Sequence, residues 1–316
     1  MSASVTVIVA TYNPQTDKLI NTLKSIITQK SVDVDIMVTD DGSKQNHFNE
    51  IRKFFAENNF ERYKLIEHEV NAGTCKNMED AVNAAEGKYI KLISPGDYLY
   101  DDNTLCDWVN FMEENQSEIS FGNAVYYHME NYNVKVLKQL NHPQRLSLYD
   151  AKDFNFDRAK LNYILMCDTS VGATFMACTD IMKKYFAVIS GKVKYAEDFM
   201  YKIMLADNIR LWHYGRDVIW YEYGIGISTG SNDKWAALIK KDQDAVDDII
   251  LERCSDKFTK KYSKYLSKIK KSRMPQALCK IAVFPSSFYW LLKGKIKKNY
   301  TNTQIRLDFI EKLLDK

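Results

Sequence analysis

Four short polar clusters hold the chemistry this sequence can do. Thr11-Tyr12-Asn13-Pro14, Asp40-Asp41-Gly42-Ser43, Asn71-Ala72-Gly73 and Ser94-Pro95-Gly96-Asp97 each follow an apolar run. Tyr12 offers a flat face for a base. Ionised carboxylates only accept hydrogen bonds, so Asp40 and Asp41 suit an imide N–H or ribose hydroxyls. Asn71-Ala72-Gly73 enters a helical stretch, where backbone N–H groups and Lys76 can face phosphate. Asp97 can hold a divalent cation on a diphosphate, because Mg2+ needs only one or two carboxylates beside phosphate oxygens and waters. Each cluster alone has a plainer reading: a solvated turn for DDGS, a helix entry for NAG, a core ring for Tyr12, a turn residue for Asp97. Their order and spacing combine them into a set that fits a nucleotide.

The elements between the clusters must put them in one place. SVTVIVA (4–10) is a continuous β-branched run, as expected of a strand buried on both faces. DKLINTLKSIITQ (17–29) carries Leu19, Leu23, Ile26 and Ile27 at helical spacing. VDIMV (34–38) and YKLIEH (63–68) read as strands, with a helix near 46–58 between them. Residues 71–87 read as a turn and a helix ending at Gly87, and KYIKLIS (88–94) as a fourth strand. This β-α-β-α-β-α-β order predicts an α/β fold, a mostly parallel sheet with helices on both faces. Ligands of such sheets bind outside the carboxyl ends of the strands, so all four clusters fall on one edge. No G-x-G-x-x-G follows the first strand and no G-x-x-x-x-G-K-[ST] occurs, which disfavours a dinucleotide cofactor and a P-loop.

Beyond Asn103 the pattern loosens. ISFGNAVYYH, NVKVLKQL, VGATFMAC (171–178) and IRLWHYGRDVIWYEY read as strands, and AEDFMYKIML (196–205) as a helix. GIGISTGSND (224–233) is a loop of Gly, Ser and Thr, and from Trp235 the chain reads as helices broken at Pro275 and Pro285. With 316 residues, 46% hydrophobic and 27% charged, the chain has room for one large domain with an appendage. We divide it into a nucleotide half (1–102), an acceptor half of the same domain (103–235) and a helical extension (236–316). Charge follows that division: from Leu251 onward 17 Lys+Arg stand against 5 Asp+Glu, a surplus of +12, and the remainder carries −9. The six cysteines form no C-x-x-C pair, so neither a zinc site nor a disulfide framework is implied. The N-terminus lacks a positive leader, and no apolar window is long enough to span a bilayer, so the expectation is a cytoplasmic protein.

VTVIVATYNP, VTDDGS and NAGTCKNMEDAVNAAEGKYIKLISPGD together closely resemble the nucleotide-binding half of glycosyltransferase family 2, of bacterial surface-glycan type. The resemblance runs on through SVGATFMACTDIMKK and AEDFMYKIML, over roughly residues 4 to 235. It implies the Rossmann-like GT-A fold and inverting transfer of a sugar from a nucleotide-sugar, usually a UDP-sugar. It places Tyr12 at the uracil with Ala10 in the nucleotide site, Asp41 at the base, and Asp40 at the ribose or base edge. Asn71, Gly73 and Lys76 belong to the nucleotide site, although CKN departs from the family's A-R-N. Asp97 matches the last acid of the D-x-D metal motif, whose first acid is missing here, so Mn2+ or Mg2+ would rest on one protein carboxylate. Asp198 matches the family's catalytic base; without the resemblance, Glu197-Asp198 reads as an acidic pair favoured at a helix start. Gly172 and Ala173 are expected on the acceptor side. Ser228 and Thr229 lie in a loop that would close over the diphosphate, with His213 and Trp235 flanking it; His213 is a further candidate metal ligand.

KFTKKYSKYLSKIKK (257–271) sets Phe258, Tyr262, Tyr265, Leu266 and Ile269 on one helical face and lysines on the other. Basic amphipathic helices of this kind lie in anionic membrane interfaces. The reading is a peripheral contact with the inner face of the cell membrane, where a lipid-linked acceptor would be met. The alternative is that this face packs on the main domain or on a second subunit in a homodimer. No nucleic-acid fold signature is present. The function expected is transfer to a glycan, glycolipid or glycoprotein hydroxyl. Its rivals are a non-catalytic nucleotide-sugar-binding scaffold or partner subunit, and a nucleotidyltransferase, for which TYNPQTD lacks the basic Gly-rich loop.

Overall fold

The computed structural model describes residues 4–130, 133–150, 154–224, 233–293, 305 and 307–314. Its strands are β1 (Ser4–Thr11), β2 (Asp33–Asp40), β3 (Tyr63–Glu67), β4 (Tyr89–Ile93), β5 (Tyr98–Leu99), β6 (Ile119–Glu130), β7 (Asn133–Val136), β8 (Phe175–Cys178) and β9 (Trp212–Glu222). They join into one sheet ordered β3-β2-β1-β4-β8-β6-β9-β5, with β7 paired on β6. β3, β2, β1 and β4 are parallel, and so are β6 and β9; β8, β5 and β7 pair antiparallel to their neighbours. Register aligns Thr11 with Asp40, Asp40 with Glu67, and Val9 with Ile93. The parallel strands therefore end together, and the four polar clusters emerge side by side.

The first four helices are α1 (Thr16–Ile27), α2 (Phe48–Glu57), α3 (Thr74–Ala84) and α4 (Thr104–Asn115). Val5, Val7 and Val9 join a buried cluster with Leu19 and Leu23 of α1, Ile51 and Phe55 of α2, and Trp108 of α4. Ile8 of β1 and Ile90 of β4 face the other way, onto Met78 and Val82 of α3 and onto the helices Thr179–Ile189 and Met200–Ala206. Two buried faces are why β1 reads as an unbroken apolar run.

Three boundaries differ from the sequence reading. α3 stops at Ala84, and Gly87 does not cap it. Gly87 instead lets the chain pass against β1: its N–H donates to Thr6 Oγ1 at 3.1 Å, and a Cβ there would lie 2.7 Å from the Thr6 nitrogen. VGATFMAC is half strand, with a 3-10 turn at Gly172–Thr174 before β8. AEDFMYKIML opens with a 3-10 turn at Glu197–Phe199 before its helix begins.

The extension packs inward. Phe258, Tyr262 and Tyr265 of the helix Lys257–Lys271 are buried in the same cluster as Phe121 and Met200. Tyr262 also donates its hydroxyl to Asp247 at 2.9 Å. The aromatic face expected at a membrane is therefore core, because three large rings gain more from one another and from the helix Asp233–Arg253 than from solvent. Among the described residues no helix is long and apolar enough to cross a membrane. Phe258→Ala is expected to cost about 3–5 kcal/mol of unfolding free energy, as a buried ring truncation does, measured by urea denaturation.

Candidate active site

The carboxyl edge is tied together before any ligand arrives. Thr11 at the end of β1 donates to Asp40 Oδ1 at 2.8 Å. Asp40 also accepts from the Ser43 hydroxyl (2.6 Å) and backbone N–H (2.8 Å). Asn13 completes the clasp: its N–H donates to Ser43 Oγ at 2.6 Å, and its side-chain oxygen accepts from the Lys44 N–H at 3.1 Å. Asp40 is buried among these groups and shapes the turn. Asp41 accepts from the N–H groups of Ala72 (2.7 Å) and Gly73 (3.0 Å), which joins the second cluster to the third. A carboxylate has about four acceptor positions, so Asp41 retains capacity for a base. Gly42 permits the junction: its φ is +70°, and a Cβ would lie 2.7 Å from the Val70 carbonyl carbon. Tyr12 stands 56% exposed above this floor, open for stacking, and Ala10 lies buried just before it in β1.

The head of α3 differs from its expected role as a phosphate cradle. The amides of Ala72 and Gly73 are spent on Asp41, and that of Cys75 on Lys194 O at 3.1 Å. Asn71 is exposed, and Lys76 pairs with Asp80 at 2.6 Å at the surface. Asn77, passed over in the sequence, is buried and spans the ends of β1 and β2. It donates toward Thr39 O (3.2 Å) and accepts from the Thr39 hydroxyl (2.7 Å).

Ser94–Asp97 forms a type II turn, with Pro95 second, Gly96 third at φ +98°, and the Asp97 N–H donated to Ser94 O at 3.0 Å. Thr22 and Tyr127 hold the turn through Asp97 O (3.0 Å) and Gly96 O (2.6 Å). Gly96 lies under the ion pair Lys18–Glu222, and a Cβ on it would meet Glu222 Oε2 at 2.8 Å. Burial raises the Asp97 carboxyl to about 7, against the opposing pull of Lys91. Lys91, fully buried in β4, is lowered to about 7 by burial and partly restored by Asp97. Its ammonium donates to Leu92 O at 2.8 Å and to Ala173 O, fixing the turn Gly172–Thr174. Among the described residues no three His, Cys, Asp or Glu side chains come together as a metal cage. The donor set fits a divalent ion only with Asp97 as single protein ligand and phosphate and water oxygens as the rest.

Glu197 and Asp198 stand opposite Gly172, where a Cβ would lie 3.2 Å from Asp198 Cβ and 3.6 Å from Glu197 Oε1. Glycine here leaves the acids room. Both open partly to solvent while sitting deep among protein atoms. Burial, then Asp198 and Asp242, push Glu197 up to about 8; burial raises Asp198, opposed chiefly by Lys202. Both acids lie near the nucleotide loop, since their charges, with that of Asp242, add to the burial that raises the Cys75 thiol. Trp235 meets Tyr195 edge to face at 5.1 Å, beside this pair. A cavity of ≈ 490 Å³ lies behind Cys75, lined by Lys76, Lys194, Tyr195, Lys241 and Asp242; it is not the donor edge, since none of Tyr12, Asp41 and Asp97 lines it.

His213 is elsewhere. It begins β9, which runs parallel to β6 and hence with β4, so it lies at the amino edge of the sheet. Its ring nitrogens meet Asp150 Oδ1 (2.6 Å) and Asn123 Oδ1 (3.1 Å). Both are occupied in holding elements together, so His213 is not a metal ligand of this site. Ser228 and Thr229 lie outside the described residues.

Residues 6–182 match the family model described as glycosyl transferase family 2. The chain belongs to this family. A poly(ribitol-phosphate) beta-glucosyltransferase of Bacillus spizizenii is 29% identical over 121 residues, 37% of this chain and 18% of that protein. The uncharacterized glycosyltransferase YibD of Escherichia coli is 32% identical over 96 residues, 30% of this chain and 27% of its own length. The chain thus matches well under half of either relative. Staphylococcus aureus TarS 1-349, solved in complex with UDP-GlcNAc, superposes with a TM-score of 0.54 at 17% identity, covering 92% of this chain and 77% of that one. That likeness shows a shared fold, GT-A, as the family resemblance implied.

Proposed function

We propose that this chain transfers a sugar from a UDP-sugar to a hydroxyl of a cell-surface glycan, glycolipid or glycoprotein, by direct displacement with inversion and with Asp198 as general base. One observation carries the reading. The loop 71–75, which Asp41 holds, is tied by the Cys75–Lys194 hydrogen bond to the strip that leads into the acid pair Glu197–Asp198. The TarS complex with UDP-GlcNAc supports the donor class, and the poly(ribitol-phosphate) relative supports a surface polymer as acceptor class.

The base stacks on Tyr12, and its imide N–H is accepted by Asp41. The acceptor hydroxyl attacks the anomeric carbon from the face opposite UDP. The bond to the diphosphate oxygen breaks with its electron pair, and the hydroxyl proton passes to Asp198. A carboxylate with a raised pKa takes that proton more readily, and such a base contributes roughly 10²–10⁴-fold. A divalent ion, when bound through Asp97, supplies charge stabilisation for the departing diphosphate. Leu278, Phe288, Tyr289 and Leu292 remain exposed in the basic extension, which supports a peripheral contact with an acceptor-bearing membrane.

Incubation with UDP-sugars, Mn2+ and a cell glycolipid extract is expected to release UDP, and calorimetry to show UDP binding. Absence of both, for every donor tried, sinks the reading. Pyrophosphate in place of UDP would point to a nucleotidyltransferase.

A further inference from the structure

Asp242 lies on the helix Asp233–Arg253 and is 3% exposed. It accepts three backbone hydrogen bonds, from Lys194 (3.0 Å), Tyr195 (2.7 Å) and Ala196 (3.0 Å). These are the three residues directly before Glu197–Asp198. The other side of the same strip faces the nucleotide loop. Cys75 donates its N–H to Lys194 O at 3.1 Å, and a Cβ on Gly73 would lie 2.5 Å from Lys194 Cγ and 2.7 Å from its carbonyl oxygen. Tyr195 rests edge to face on Trp235, which shares a helix with Asp242. The strip therefore touches the helix on one side and the donor loop on the other, and ends in the acids.

An ionised carboxylate taking three N–H groups makes charge-assisted bonds, stronger and more directional than neutral ones. Removing it leaves three amide donors without an acceptor in a mostly buried place. The consequence is positional, because Asp242 touches neither donor nor reacting atoms in the proposed reaction.

We infer that Asp242 is the positioning residue for the Asp198 base, and that the strip 194–196 it holds joins the nucleotide loop 71–75 to that base. The inference rests on the reading of Asp198 above. A displacement of the base by about 1 Å costs on the order of 10²-fold in rate, while donor contacts at Tyr12 and Asp41 are untouched.

Asp242→Asn in the full chain tests it. The amide keeps one acceptor oxygen and turns an NH2 group toward the remaining donors. The expected result is a kcat about 30- to 100-fold lower, with donor KM and UDP Kd within about threefold of wild type. Asp242→Glu, which keeps the carboxylate, is expected to restore part of kcat. An unchanged kcat overturns the inference. So does a loss shared equally by kcat, UDP affinity and melting temperature, which marks a general structural role. Amide exchange in 194–196 should be slow and should slow further with UDP; UDP binding without that change removes the link. Failure of the wild type to bind UDP is separate, and falls on the reading of function.

Discussion

Asp198→Asn is expected to lower kcat by about 10²–10⁴-fold and to leave UDP affinity within about threefold. The substitution is isosteric, so the space opposite Gly172 stays as it is. What disappears is the ability to take a proton. The pH profile of the wild type gives the matching test. Burial raises both acids, Glu197 to about 8, and a base works only when ionised. Transfer should therefore rise with pH along a limb displaced above the ordinary aspartate range, and fall on the acid side. The stability sign runs the opposite way. A carboxyl whose folded pKa lies above its unfolded value stabilises the fold while protonated, and that contribution fades as pH rises toward the folded value. Asp198→Asn should thus gain in melting temperature over wild type as pH rises above the unfolded carboxyl value, with little difference below it. Full activity in the variant would remove Asp198 as the base. A variant both inactive and less stable at alkaline pH would mean that its loss came from damage to the fold.

Much of the donor edge was legible because its positions are fixed by strand ends. A β-branched run buried on both faces, followed by a polar loop, places that loop on the carboxyl edge whatever its detail, and the aligned ends of β1, β2, β3 and β4 follow. Direction along the edge was not legible. Asp40 and Asp41 are adjacent, and strand alternation sends them to opposite sides, one into the Thr11–Ser43 clasp and the other to loop 71–73. The sequence does not show that His213 stands at the start of β9, a full strand length from that strand's carboxyl end. Asp242 and Asn77 are not legible in the sequence because each acts on a segment distant in the chain, and nothing in its own neighbourhood marks it. Periodicity in 257–271 reveals an apolar face and not what covers it, and here protein covers Phe258, Tyr262 and Tyr265.

Asp41→Ala is expected to lower UDP affinity by at least about 30-fold, roughly 2 kcal/mol, and to cost about 2–4 kcal/mol of stability. The two effects share one cause. In the proposed reaction Asp41 accepts from the base, and in the fold it holds the N–H groups of Ala72 and Gly73, so its loss removes an acceptor and frees the loop together. Gly73 is buried and loses the acceptor of its N–H when the carboxylate goes, which accounts for the larger part of the stability cost. Asp41→Asn separates the contributions: an amide oxygen can still receive one loop N–H, so stability should recover more than affinity. Calorimetric UDP titration beside urea denaturation reads both quantities. Equal recovery of both would mean that Asp41 serves the loop alone, leaving the base to Tyr12 stacking. The freed loop also reaches further. Gly73 packs on Lys194, so slack introduced at Asp41 passes to the strip before Glu197. Some loss of kcat at saturating donor is therefore expected from Asp41→Ala, smaller than that from Asp198→Asn. A donor-site substitution confined to KM would mean that base and loop are held independently.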